Sequence, residues 1–112
     1  MGALREYSRY ELLLSQFQMN EMAVNDNVRQ ALERIRDFLY EHTDIHYLVF
    51  VREQNLISYI KYHCKHKFEK VSFIQVVEDI KIFIRFLEHK TDIKRVPSID
   101  FSLQNLNMWL HL

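Results

Sequence analysis

The sequence predicts an all-α fold, a compact bundle of four main helices plus a short C-terminal helix, in a single domain over residues 1–112. Gly2 and Pro97 are the chain's only glycine and proline, whereas an all-β domain needs turn residues about every ten positions. Apolar residues recur at three- and four-residue steps, which is the spacing of one helix face. Hydrophobic residues make up 48% of the 112 residues, which is enough for one core.

The first two helices are separated by the polar stretch "NDN" at 25–27. The first helix is expected to run from Leu4 to about Met22. Its expected apolar stripe consists of Tyr7, Tyr10, Leu14 and Phe17. The second helix is expected over 27–42, because Asn25, Asp26 or Asn27 can cap its free amides. Its expected buried side chains are Val28, Ala31, Leu32, Ile35, Phe38 and Leu39, and those expected to face water are Arg29, Glu33, Arg34 and Arg36.

The run "EHTDIHYLVF" at 41–50 is interpreted as an ordered connection that packs inward, with a turn starting at Thr43 or Asp44. Whether "HYLVFV" instead forms a strand across a dimer is left open. The third helix is expected from about Arg52 to His66. Its expected inward side chains are Leu56, Ile57, Tyr59, Ile60 and Cys64.

The fourth helix is expected over 73–90, because Ser72 is a good N-cap. Its apolar face is wide, which predicts a central helix contacted on several sides. The side chains of this face are Phe73, Val76, Val77, Ile80, Phe83, Ile84 and Leu87. The stretch "KTDIKRVPSID" is expected to be a loop, because Pro97 disfavours helix at Val96. Asp100 or Ser102 then caps a final helix over 102–110.

Composition excludes several functional classes. The 15 basic and 15 acidic residues give a net charge of zero, so long-range attraction to nucleic acid or an anionic membrane is not expected. Cys64 is the only cysteine, which favours a reducing cytoplasm over a disulfide scaffold. The N-terminus lacks the apolar core of a signal peptide. No apolar stretch approaches the roughly 20 residues that span a bilayer.

The candidate catalytic and metal-ligating residues do not make up a complete site. In "HCKH", His63 and His66 lie three apart, but Cys64 points elsewhere on a helix and zinc needs three or four ligands. The favoured interpretation is one buried thiol and two exposed imidazoles. His42 and His46 lie four apart with a helix end expected between them. Adjacent Glu78 and Asp79 would diverge, and no catalytic motif is present. We therefore expect no enzyme, no cofactor and no metal.

Two stretches are candidate binding sites. The first is a basic stretch with interleaved aromatic residues, which could contact nucleic-acid phosphates or simply be a solvated helix end. It consists of Lys61, Lys65, Lys67 and Lys70. The second is the C-terminal segment, where a short amphipathic helix must lie against its own bundle or against a partner. Its candidate partner-binding residues are Phe101, Leu103, Leu106, Met108, Trp109 and Leu110.

Several stretches of the chain carry a resemblance to a known family. These are "REYSRYELL" (5–13), "FLYEHTDI" (38–45), "YIKYHCKHK" (59–67) and "DFSLQNLNMWL" (100–110). With them, the chain resembles the SwrA swarming-motility family of Bacillus and relatives. The resemblance implies a cytoplasmic activator of flagellar gene expression that binds a response regulator of the DegU type. It also implies indirect contact with promoter DNA and degradation by a Lon-type protease.

A second resemblance concerns the order of helices in "ALERIRDFLYEHTDI", "ISYIKYH" and "FIQVVEDIKIFIRFL". This order is similar to the SAM-like core-binding domain of tyrosine recombinases, a helical bundle that clamps DNA.

From the first resemblance, the expected function is a non-enzymatic transcriptional co-regulator of motility genes that binds a response regulator. The alternative is a small DNA-binding module, and a self-associating structural protein stays open as a third class.

Overall fold

The computed structural model describes residues 8–18, 25–65, 71–90 and 92–101. This part of the chain contains four α-helices and, between the second and third, a short 3₁₀ helix at Leu48–Phe50. The α-helices are α1 (Arg9–Gln16), α2 (Asp26–His42), α3 (Glu53–Lys65) and α4 (Phe73–Glu88). No strand occurs within the described ranges, so the all-α prediction with four main helices is confirmed there. The predicted final helix at 102–110 lies outside the described residues.

Side-chain caps explain where three of the helices begin. The Ser8 and Ser72 hydroxyls and the Asn25 amide oxygen each accept a hydrogen bond from the backbone N–H three residues later. Such caps satisfy amides that have no partner within the helix. The bounds predicted for α2 and the start predicted for α4 are therefore confirmed within one residue.

The predicted bounds of α1 are wrong. Ser8 has an extended backbone and caps the helix, so α1 begins at Arg9 rather than continuing from Leu4. Its other end lies at Gln16, where the Phe17 N–H bonds to the Leu14 carbonyl in a tighter turn. The apolar periodicity continues beyond this point, but periodicity does not report where a cap interrupts the backbone.

The apolar stripe of α1 also differs from the prediction. Phe17 is buried as predicted, but Leu13 is buried in place of Leu14, which is exposed. Phe17 stacks on Phe83 and Phe86 of α4, with ring centroids 6.0 and 5.4 Å apart. The pair 13 and 17 has the same four-residue spacing as the pair 10 and 14, so sequence periodicity cannot choose between them.

One hydrophobic core lies among the helices, and α4 contributes most to it. It packs against both α2 and α3, which confirms its predicted central position. Its buried apolar residues are Val76, Ile80, Ile82, Phe83, Phe86 and Leu87. The facing positions of α2 and α3 are Ala31, Leu32, Ile35, Phe38, Leu39, Leu56, Tyr59 and Ile60. None of the described helices is long and apolar enough to cross a membrane.

A charged group lies inside this core. Asp79 of α4 is completely buried, and its two carboxylate oxygens accept four hydrogen bonds. Arg34 of α2 donates through Nε at 2.8 Å and through Nη2 at 2.7 Å. Tyr59 of α3 donates its hydroxyl at 2.6 Å, and Gln75 donates its amide at 2.8 Å. Arg34 was predicted to face water; it instead joins α2 to α4, because the buried carboxylate needs a cationic partner.

We expect Asp79→Ala to lower the free energy of unfolding by about 3 kcal/mol, because it leaves the Arg34 and Tyr59 donors facing a cavity. Urea denaturation at pH 7 measures the loss. The matched control is Glu78→Ala, a neighbouring acid that is exposed, with an expected change within about 0.5 kcal/mol. Equal losses in the two variants would contradict the structural role of the network.

Candidate functional site

The predicted C-terminal contact residues fall mostly outside the described part of the chain. Phe101 is described; it is half-buried and packs against the core. The others, Leu103, Leu106, Met108, Trp109 and Leu110, lie outside the described residues. Their role in partner binding stays a prediction.

The predicted basic stretch is described in part. Lys61 is exposed on α3, and Lys65 is the last residue of that helix. Lys67 and Lys70 lie outside the described residues. Whether the four lysines form one surface therefore stays a prediction.

The predicted exposure of His63 is wrong. The residue is 8% exposed, and its ring lies edge-on to the Tyr59 and Tyr62 rings at centroid distances of 4.5 and 5.0 Å. Cys64 is half-buried rather than fully buried, and His66 lies outside the described residues. Within the described ranges, no group of three or more histidine, cysteine or acidic side chains could hold a metal ion.

The largest pKa shift among the described residues occurs in the Asp79 network, at Tyr59. The hydrogen bonds that Arg34 donates to the Asp79 carboxylate raise the pKa of Arg34 above its usual range. Burial, with the Asp79 charge as the next cause, raises the pKa of Tyr59 well above its usual range. Perturbed groups often mark catalytic sites. Here the carboxylate is completely buried and both of its oxygens are occupied, so the network serves to join helices.

The raised pKa of Tyr59 predicts a loss of stability at high pH. The folded protein keeps the phenol protonated at a pH where the unfolded chain, with a tyrosine pKa of about 10, releases the proton. The contribution of Tyr59 is therefore complete below about pH 10 and falls by about 1.4 kcal/mol per pH unit above it. Urea denaturation between pH 8 and about pH 11 should show a steeper decline for wild type than for Tyr59→Phe. Parallel declines in the stability of wild type and Tyr59→Phe would contradict a raised pKa of Tyr59 in the folded protein.

The connection between α2 and α3 presents an aromatic surface. Tyr47, Val49 and Phe50 are 50%, 38% and 60% exposed, and we call them the 47–50 surface. The Tyr47 and Phe50 rings contact each other edge-on at 6.4 Å. The neighbours Leu48 and Val51 are buried. The prediction that this connection packs inward is therefore correct for Leu48 and, in part, for Ile45, which packs half-buried against the core. It is wrong for the three exposed residues of the 47–50 surface.

The backbone of the 47–50 surface is held by hydrogen bonds with a side chain of α1 and with Arg52, which directly precedes α3. Gln16 of α1 donates its amide to the His46 carbonyl and accepts from the Leu48 N–H, both at 2.8 Å. Arg52, just before α3, donates to the Val49 carbonyl at 2.8 Å. The exposed rings therefore project from a backbone that is bonded on both sides.

Arg9 completes this attachment at the end of α2. Its guanidinium donates to the carbonyls of Leu39 and Tyr40 at 2.7 Å each, and to that of Ile45 at 2.9 Å. It also donates to the Thr43 carbonyl. The last carbonyls of a helix have no partner within it and carry partial negative charge. Arg9 therefore caps α2 together with the Thr43 hydroxyl, which also donates to the Leu39 carbonyl at 2.6 Å, and it fixes the direction in which the chain leaves the helix.

An open groove of about 510 Å³ borders the exposed rings. Tyr47, Phe50 and Ile45 contribute its apolar lining, and Asp44 and Asn55 contribute polar groups. A groove with aromatic walls and a few polar groups can accept an apolar side chain of another protein. The sequence contained one signal of this surface, because five consecutive apolar residues at 47–51 outside a regular helix cannot all point inward.

We expect Arg9→Met to lower the free energy of unfolding by about 2 kcal/mol, because four carbonyls lose a charged donor. Arg9→Lys should recover little of this loss, since an ammonium group lacks the planar fork that reaches four acceptors. Hydrogen exchange at the Leu48 amide should accelerate more than exchange in α4. The control is Arg29→Met, which removes an exposed pair with Asp26. A loss no larger than that of the control would contradict the capping role.

Comparisons of the chain with protein-family models, with curated proteins and with solved structures found no match. The resemblances to the SwrA family and to the recombinase core-binding domain therefore stay predictions from the sequence. The fold and the 47–50 surface rest on the geometry described above.

Proposed function

We propose that this protein is a non-enzymatic transcriptional co-regulator, which binds a response regulator of the DegU type and changes how that regulator acts at motility promoters. The observation that carries the binding part of the proposal is the exposed, attached 47–50 surface. The resemblance of "REYSRYELL" and "DFSLQNLNMWL" to the SwrA family supports the choice of partner.

Energetics favour a contact role for the exposed rings. Burying apolar surface contributes about 25 cal/mol per Å², and aromatic residues are enriched among the side chains that dominate interface energies. The Gln16 and Arg52 hydrogen bonds order the backbone of the 47–50 surface before any partner arrives. Ordering a loop on binding would weaken affinity, so this attachment lowers the free-energy cost of association.

The C-terminal segment is the second proposed contact. Phe101 lies at the end of the described loop and packs against the core, and the amphipathic stretch with Trp109 follows it in the sequence. We propose that the apolar residues of this stretch also contact the response regulator.

The test is calorimetric titration of the full chain with a DegU-type response regulator. Phe50→Ala and Tyr47→Ala should each weaken binding about tenfold or more, because an interface aromatic contributes at least about 1.4 kcal/mol. Trp109→Ala and Leu106→Ala test the C-terminal contact in the same way. The matched control is Ile74→Ala, which removes an exposed apolar side chain of α4 outside the 47–50 surface.

Absence of binding by the wild-type chain would overturn the choice of partner, and unchanged affinity in Phe50→Ala and Tyr47→Ala would overturn the assignment of the surface. A mobility-shift assay with DNA and the protein alone, at two salt concentrations, tests the alternative. A shift that weakens steeply with salt indicates direct phosphate contact and favours the DNA-binding module over the co-regulator.

A further inference from the structure

A separate cleft of about 180 Å³ lies between α2 and α3. Its lining includes the rings of Phe38, His42 and Tyr62 and the carboxylates of Asp37 and Glu41. A water molecule occupies about 30 Å³ in the liquid, so the cleft has room for a small head group. None of these residues belongs to the 47–50 surface.

The three rings form a continuous aromatic wall. The Phe38 ring centroid lies 5.2 Å from that of His42 and 5.6 Å from that of Tyr62. The His42 and Tyr62 centroids are 4.6 Å apart. Aromatic rings attract cations through their quadrupole, with the strongest effect where water is partly excluded.

The carboxylates lie one turn apart on the same face of α2. The Asp37 and Glu41 side chains are 52% and 62% exposed. Asp37 has Arg36 beside it, with Nη2 at 3.0 Å, and Glu41 has His42 at 3.9 Å, which is an ion pair only when the imidazole is protonated. With a neutral imidazole, the Glu41 charge is therefore not compensated by these neighbours.

The cation that lines the cleft does not cancel this negative charge. Arg34 contributes to the lining, but its guanidinium is bonded at two nitrogens to the buried Asp79 carboxylate. That pair is neutral as a unit. The cleft therefore combines an aromatic wall with acidic groups at an accessible position.

We propose that this cleft binds the guanidinium group of an arginine side chain or of a related small molecule. A guanidinium is planar, stacks on aromatic rings and donates two parallel hydrogen bonds to a carboxylate. The same chemistry occurs within this chain, where Arg9 lies 5.2 Å from the centre of the Tyr40 ring and Arg36 lies 5.7 Å from that of Tyr10. This site is independent of the proposed response-regulator contact.

The test is a ¹H–¹⁵N NMR titration of the full chain with N-acetyl-arginine amide. Amide shifts should concentrate at Glu41, His42 and Tyr62. N-acetyl-citrulline amide has nearly the same size without the charge, and should bind at least about tenfold more weakly if the cation contributes about 1.4 kcal/mol. N-acetyl-lysine amide should bind more weakly than the arginine probe, because an ammonium group is not planar.

Variants locate the site within the cleft. The double variant Asp37→Asn, Glu41→Gln should weaken binding of the arginine probe about tenfold, and Tyr62→Leu should weaken it to a lesser degree. Both carboxylates are exposed, so the double variant should unfold at the same urea concentration as wild type within error. The matched control is Glu33→Gln, an exposed acid of α2 outside the cleft, which should bind as wild type does.

Two results would overturn the proposal: equal binding of the arginine and citrulline probes, or wild-type affinity in the double variant. A peptide with a single arginine distinguishes the source of the ligand. Tighter binding of this peptide than of the capped amino acid supports an arginine of a protein partner. Equal binding supports a free guanidinium compound.

Discussion

The Asp79 carboxylate is the group on which the arrangement of the helices depends. It carries a charge in a fully buried position, where desolvation disfavours it by several kcal/mol unless it is paired and hydrogen-bonded. Its partners come from α2, α3 and α4. All of these bonds form together only when the three helices have one relative position. Apolar contacts tolerate small rotations of a helix, whereas this network does not.

The same principle of satisfying polar groups governs the connection after α2. A helix end leaves several carbonyls without partners, and here Arg9 and the Thr43 hydroxyl supply donors. Gln16 supplies both a donor and an acceptor to the backbone that follows. Arg9 and Gln16 belong to α1, an eight-residue helix that would be marginal by itself. Burial of Leu13 and Phe17 seats α1 against the core, and its polar side chains then determine which rings of the connection remain exposed.

The buried network also affects the surface of α2. Arg34 is paired with Asp79 and therefore does not neutralise Glu41, whose charge stays uncompensated on this face when the His42 imidazole is neutral. Phe38 connects the two regions, because its ring contacts Tyr59 of the network at 5.3 Å and His42 of the cleft at 5.2 Å. One helix therefore contributes its apolar face to the core, a cation to the buried network and two carboxylates to an accessible cleft.

The sequence by itself determined the helical class, the bounds of α2 and the start of α4. These features are local: a cap such as Asn25 or Ser72 acts on amides within three residues, and the apolar spacing selects the inward face. The pairing of Arg34 with Asp79, 45 residues apart, was decided only by the tertiary structure. The tertiary structure also decided that Leu13 rather than Leu14 is buried, and that Tyr47 and Phe50 are exposed. Each depends on which distant groups meet, and neither local propensity nor periodicity contains that information.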